Sequence, residues 1–135
     1  PWCVARTAGL ERQQRGAENS AVKLGESAAV FSAYGVWRAT GSARAGAVVA
    51  NALASADETN RTASGVLLVR AATRSLPLLR GNLKRGVAVA LSLRLLGDIG
   101  AAEAVRDIEP FVGSSDPAIA RAAADALKAL GATAK

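Results

Sequence analysis

The stretch from Leu83 to Gly131 resembles itself, and a chain that repeats with this period has few folds open to it. It reads LKRGVAVALSLRLLGDIGAAEAVRDIEPFVGSSDPAIARAAADALKALG. Leu96-Gly97 closes one apolar run and Leu130-Gly131 closes the next, 34 residues on. In that register Leu93 falls on Leu127, Ala90 on Ala124, Ala88 on Ala122 and Asn82 on Asp116. Pro77 and Pro110, 33 apart, are each followed by two apolar residues, Leu78-Leu79 and Phe111-Val112. Arg74 and Arg106 sit in matching contexts, Ala-Thr-Arg-Ser-Leu and Ala-Val-Arg-Asp-Ile. A unit of this length holds one helical hairpin, which cannot bury its apolar face without a neighbour.

The helices inside the unit have local causes. Ala101, Ala104, Val105, Ile108, Phe111 and Val112 fall at i, i+3, i+4, i+7 and predict one apolar face over 101–112. Glu103, Arg106, Asp107 and Glu109 take the rest, as a solvated face. Asp116-Pro117 is a helix start: the carboxylate accepts from unpaired backbone N–H groups, and Pro fits the first helical position. The run from Val87 to Leu96 is apolar nearly all round, broken only by Ser92 and Arg94, and so predicts a helix covered on several sides.

Upstream, residues 18–39 read as a helix capped by Asn19 or Ser20, with Val22, Ala29, Val30, Ala33, Val36 and Trp37 on its apolar face. Thr40-Gly41-Ser42 is a turn. An Ala-rich helix over 43–56 turns Val48, Val49, Ala52 and Leu53 inward. After the break at residues 57–60, one helix is expected over 60–80, burying Ala63, Val66, Leu67, Val69, Leu76 and Leu79. Pro77 bends its last turn and Gly81-Asn82 ends it. Residues 1–17 are a polar, poorly defined segment without an apolar signal-peptide core, and 18–135 form a single helical domain. The whole predicts an all-α chain of about six helices joined by short loops.

Composition narrows the chemistry. There is no His, which removes Ser-His-Asp and Cys-His nucleophilic machinery, and the single Cys3 forms no internal disulfide and fits a reducing, cytoplasmic setting. No metal site and no cofactor site is expected, and no stretch approaches the ~20 apolar residues of a membrane span. The chain opens on Pro1 and contains no Met, which reads as a processed product or a fragment. Its Ala- and Arg-rich, Lys-poor usage points to a bacterial, GC-rich origin. The net charge of +6 is uneven: six basic residues and no acid lie from Arg61 to Arg85. Such asymmetry suits an acidic partner or an ordinary solvated face.

The pattern LGDIGAAEAV…IEPFVGSSDPAIARAAADALKALG resembles the HEAT repeats, in particular the short PBS-lyase-type repeats, over residues 84–131. Leu96, Gly97, Ile99, Gly100, Ala104, Val105, Asp116, Pro117, Ile119, Ala123, Ala126, Leu127 and Leu130 stand at matching positions. Tetratricopeptide repeats share the period and a Leu-Gly-Asp turn, but Pro110 and the longer gap to Asp116-Pro117 favour the HEAT-like pattern. One departure is Ala120 where the family usually has Arg, with Arg121 a step later, so the family's Asp–Arg ladder is absent or bent. The resemblance implies an α-solenoid of stacked antiparallel helix pairs and a non-enzymatic scaffold for a protein or peptide. In such arrays the second helix of each repeat lines the binding side. By position that side carries Arg70, Arg74, Glu103, Arg106 and Asp107. The alternative is a nucleic-acid-binding module whose basic track is Arg70, Arg74, Arg80, Lys84 and Arg85. Tyr34 and Trp37 are core residues in the first reading and a base-stacking platform in the second.

Overall fold

A computed structural model describes residues 27–131, and every regular element among them is helical. The expectations for residues 1–17, for the helix start at Asn19 or Ser20, for Val22 and for Cys3 lie outside the described residues.

Helix α1 covers described residues 27–40. It stops where Thr40 Oγ1 turns back to donate to the Val36 carbonyl and Gly41 adopts φ +72°. Helix α2 (Ala43–Asn51) starts from Ser42, whose hydroxyl accepts from the Ala45 N–H, and tightens into a 3₁₀ turn over Ala52–Ala54. Helix α3 (Glu58–Ala71) starts from Asp57, which accepts from the Thr59 N–H, with Glu58 favourably placed in the first turn. Helix α4 spans Leu76–Arg85, α5 Val89–Ile99 and α7 Pro117–Ala129. Between the last two lies α6 (Val105–Ile108), flanked by 3₁₀ turns at Ala102–Ala104 and Glu109–Phe111. Asp116 and Pro117 open α7 as expected, with Asp116 accepting from the Ala118 N–H.

The helix expected over 101–112 is a four-residue helix between two 3₁₀ turns, and three boundaries upstream of it also differ from the sequence reading. The single helix expected over 60–80 is two: α3 ends at Ala71, Ala72 takes φ +53°, and a 3₁₀ turn leads into α4. The break lets Pro77 fall in the first turn of a new helix, where its missing N–H costs nothing, instead of bending an old one. Ser75 Oγ donates to the Leu68 carbonyl, satisfying one of the acceptors that α3 leaves open. Second, Gly81-Asn82 lies inside α4, which closes instead on Gly86 at φ +69°. Third, α5 runs past Leu96-Gly97 to Ile99 and turns at Gly100, φ +77°. Gly100 and Gly131, φ +75°, are therefore the matching chain reversals.

One continuous core holds the helices: Val49 and Leu53 from α2 and its 3₁₀ turn, Leu68, Leu76, Leu79, Leu83, Leu93, Leu96, Ile108 and Leu127. Leu130 packs on the same cluster as Leu96. Helix α5 packs against α3, α4 and α7, so its nearly all-apolar sequence has neighbours on several sides; its contact with α7 is the most extensive from α2 to α7. Helix α2 packs on α3 and α4, and α6 on α7. Val36, Val48 and Val66, expected inside, are 49%, 42% and 61% exposed. In α2 the buried position is Val49, one residue and about 100° round from Val48.

Buried polar groups tie the helices at chosen points. Ser64 Oγ donates to the Val49 carbonyl, and Asn82 Nδ2 to the Ala50 carbonyl at 3.1 Å and to Ser92 Oγ at 3.5 Å. Both carbonyls lie in the last turn of α2.

Candidate functional site

The second-helix residues singled out by the sequence are placed as follows. Arg70 ends α3 and Arg74 lies in the turn beyond the break, so their expected relation, one helical turn apart on one face, is lost at Ala72. Both are exposed. Glu103 and Arg106 are exposed in the α6 region. Asp107 is not a free surface charge: Arg80 Nε on α4 donates to its Oδ2 at 2.7 Å, and Arg80 Nη2 reaches the Glu103 carbonyl at 3.5 Å. The sequence set Asp107 on a solvated face; its tertiary partner comes from 27 residues upstream.

Of the basic track, Arg80 is engaged by Asp107, and Arg85 donates to Asn82 Oδ1 at 2.7 Å and to the Gly81 carbonyl. Arg70, Arg74 and Lys84 stay exposed. Arg74 also borders a small cleft of about 310 Å³ with Trp37, Arg38 and Gly41. Trp37 is half-buried there and stacks at a tilt on Tyr34, ring centroids 6.0 Å apart.

A groove of about 830 Å³ runs between α5 and α7, among residues the sequence reading did not single out as a site. Its bottom is made of small residues: Gly97 and Ala126 are buried, and Ala90 and Ala122 partly so. Charged residues border it in matching pairs, Arg94 with Asp98 on α5 and Arg121 with Asp125 on α7. All four are exposed, and the one ion pair among the described residues is Arg80–Asp107. Each pair is i, i+4 with the base first, the less favourable order for pairing along one helix.

The two helices run in the same direction. Gly97 abuts Ala126, and the groove is lined from Ala90 to Asp98 on one side and from Pro117 to Ala129 on the other. Opposed helices would set Pro117 beyond the end of α5, which stops at Ile99. A narrower groove of about 490 Å³ between α3 and α5 shares Leu91, Arg94 and Asp98 and exposes Val66 on its far wall. The signal that could have found the larger groove is the recurrence of Arg-x-x-x-Asp in α5 and α7.

Among the described residues no helix is long and apolar enough to cross a membrane, and no group of three or more Cys, Asp or Glu side chains could hold a metal ion. No family model matches the chain, and neither the curated proteins nor the solved structures give a match.

Proposed function

We propose that the chain is a non-enzymatic HEAT-like repeat module, an α-solenoid of stacked antiparallel helix pairs that holds a protein or peptide on its second-helix face. The observation that carries this reading is the order of packing. From α2 to α7, each extensive helix–helix contact joins elements one or two steps apart, with α3, α5 and α7 side by side and α2 against α4. The Arg80–Asp107 pair ties α4 to α6 in the same sense. A closed bundle would bring early helices onto late ones, whereas a stacked array leaves long open flanks. The second-helix face offers Arg74, Glu103 and Arg106 as exposed charges of both signs, which suits a polar peptide. The test is selection of peptides from a random display library against the folded chain, followed by binding to Arg74→Glu and Arg106→Glu. Losses of about tenfold are expected from reversed charge complementarity. Unchanged binding of every selected peptide to both variants discards this face.

A second reading, nucleic-acid binding, is favoured by the cleft that gathers Arg38 and Arg74 beside Trp37. A guanidinium pair next to an indole is a chemistry that grips phosphate and stacks a base. A gel shift with single- and double-stranded DNA at low and at moderate salt decides it: the reading requires a shift that weakens steeply with salt, and no shift at either salt ends it.

A further inference from the structure

We propose that the α5–α7 groove is a self-association surface that takes α7 of a second copy of this chain, antiparallel and related by a two-fold axis. The proposal uses the layer of α3, α5 and α7, not the second-helix face, so it stands or falls apart from the peptide reading.

Arg94 precedes Asp98 and Arg121 precedes Asp125, and α5 and α7 run the same way. Both banks of the groove therefore present base and acid in the same sequence. A helix lying antiparallel in the groove satisfies both banks only if it too reads Arg-x-x-x-Asp on its contact face. Its acid then faces the two arginines and its arginine faces the two aspartates. Helix α7 meets that requirement through Arg121 and Asp125, and under a two-fold axis Arg121 of each copy faces Asp125 of the other. A parallel arrangement would set like on like, which costs heavily at close range.

Shape agrees with charge. Ala118, Ala122, Asp125 and Ala129 recur at i, i+4, i+7 and i+11, so small side chains share the face that carries the charges. Small residues on both sides let two helices approach near the short end of the usual 8–10 Å range. The flank of α7 away from α5 is uncovered, with Ala124 and Lys128 exposed, so a second helix can reach it. The self-complementary patch is the kind an isologous dimer requires.

The experiment is light scattering or sedimentation equilibrium on the purified chain and its charge-reversed variants. The contact is small, so half-dimerisation is expected at about 100 µM or below. The mass should rise from 13.7 kDa towards twice that value. Arg121→Asp and Asp125→Arg should each weaken self-association at least about tenfold, since each sets like charges face to face. An equimolar mixture of the two single variants should associate more strongly than either alone, because it restores opposite charges between the two copies of α7 while one like-charge contact with α5 stays in each groove. Far-UV circular dichroism confirms that the variants stay helical, as expected at exposed positions. If an α7 variant unfolds, the groove is read instead at α5, where Asp98→Arg should weaken association by a similar factor. A wild-type chain monomeric to about 500 µM overturns the proposal. Single variants that dimerise like wild type, or a mixture that associates no better than the single variants alone, overturn it equally.

Discussion

Gly97 on α5 faces the backbone of Ala126 on α7 so closely that a Cβ at Gly97 would stand 3.0 Å from Ala126 Cα and 3.2 Å from its Cβ. Neither neighbour is the end of a flexible side chain. The most extensive helix contact from α2 to α7 therefore depends on a residue with no side chain, placed in the last turn of α5.

Gly97→Ala should consequently destabilise the fold. Relief of the glycine's helix penalty contributes about 1 kcal/mol, but forcing apart two packed helices costs about 1–3 kcal/mol. A net loss in urea unfolding is expected. Gly81, inside α4, is the control: a Cβ there meets nothing within 4 Å, so Gly81→Ala should stabilise by up to about 1 kcal/mol.

Ala72 and Ala88 adopt φ +53° and +45°, conformations that L residues reach only with strain. Ala72→Gly should raise stability by about 0.5–1 kcal/mol, relief of strain outweighing the greater freedom of glycine in the unfolded chain. Thermal unfolding of this variant should show a higher Tm; an unchanged or lower Tm would speak against the break between α3 and α4.

Asn82 is fully buried and hydrogen-bonded to three elements: it donates to the Ala50 carbonyl and Ser92 Oγ and accepts from Arg85. Asn82→Leu keeps the branched shape but adds bulk and strands those partners. A loss of about 1–3 kcal/mol is expected in denaturant unfolding. Loss of the Arg85 contact contributes less, since that group is solvent-exposed and can turn to water.

The Arg80–Asp107 pair is about one-third exposed on both sides. A double-mutant cycle with Arg80→Ala and Asp107→Ala should return a coupling of only about 0.2–1 kcal/mol, smaller at high salt. Zero coupling at low salt would mean that the pair does not link α4 to α6 in solution.

Much of the fold was legible because its causes are local. Asp116-Pro117 begins a helix for reasons contained in two residues, and Ser42 and Asp57 act the same way at their helix starts. The 3.6-residue spacing of apolar positions found Leu53, Leu79 and Ile108, and the repeat register set Leu93 against Leu127; all five are buried. What escaped was the choice among locally acceptable options. Pro77 is compatible with a bent helix or with a fresh start, and the packing of α4 on α5 goes with the fresh start. Val66 is apolar and on period, yet the space beside it is a groove between helices.

The candidate surfaces divide in the same way. That Arg70, Arg74, Glu103 and Arg106 would be exposed followed from their chemistry, because burying an unpaired charge is prohibitive. Which of the charges would be used inside the fold did not follow. Asp107 is held by Arg80, 27 residues away, a proximity that only folded helices create.

By itself the sequence determined an all-helical chain, the principal helix starts and most of the core, since capping, helical periodicity and glycine reversals act over a few neighbouring residues. The tertiary structure alone decided where α3 gives way to α4, which charges are spent on each other, and that Gly97 serves contact rather than termination. Those outcomes depend on what approaches from distant parts of the chain, and no local preference encodes that approach.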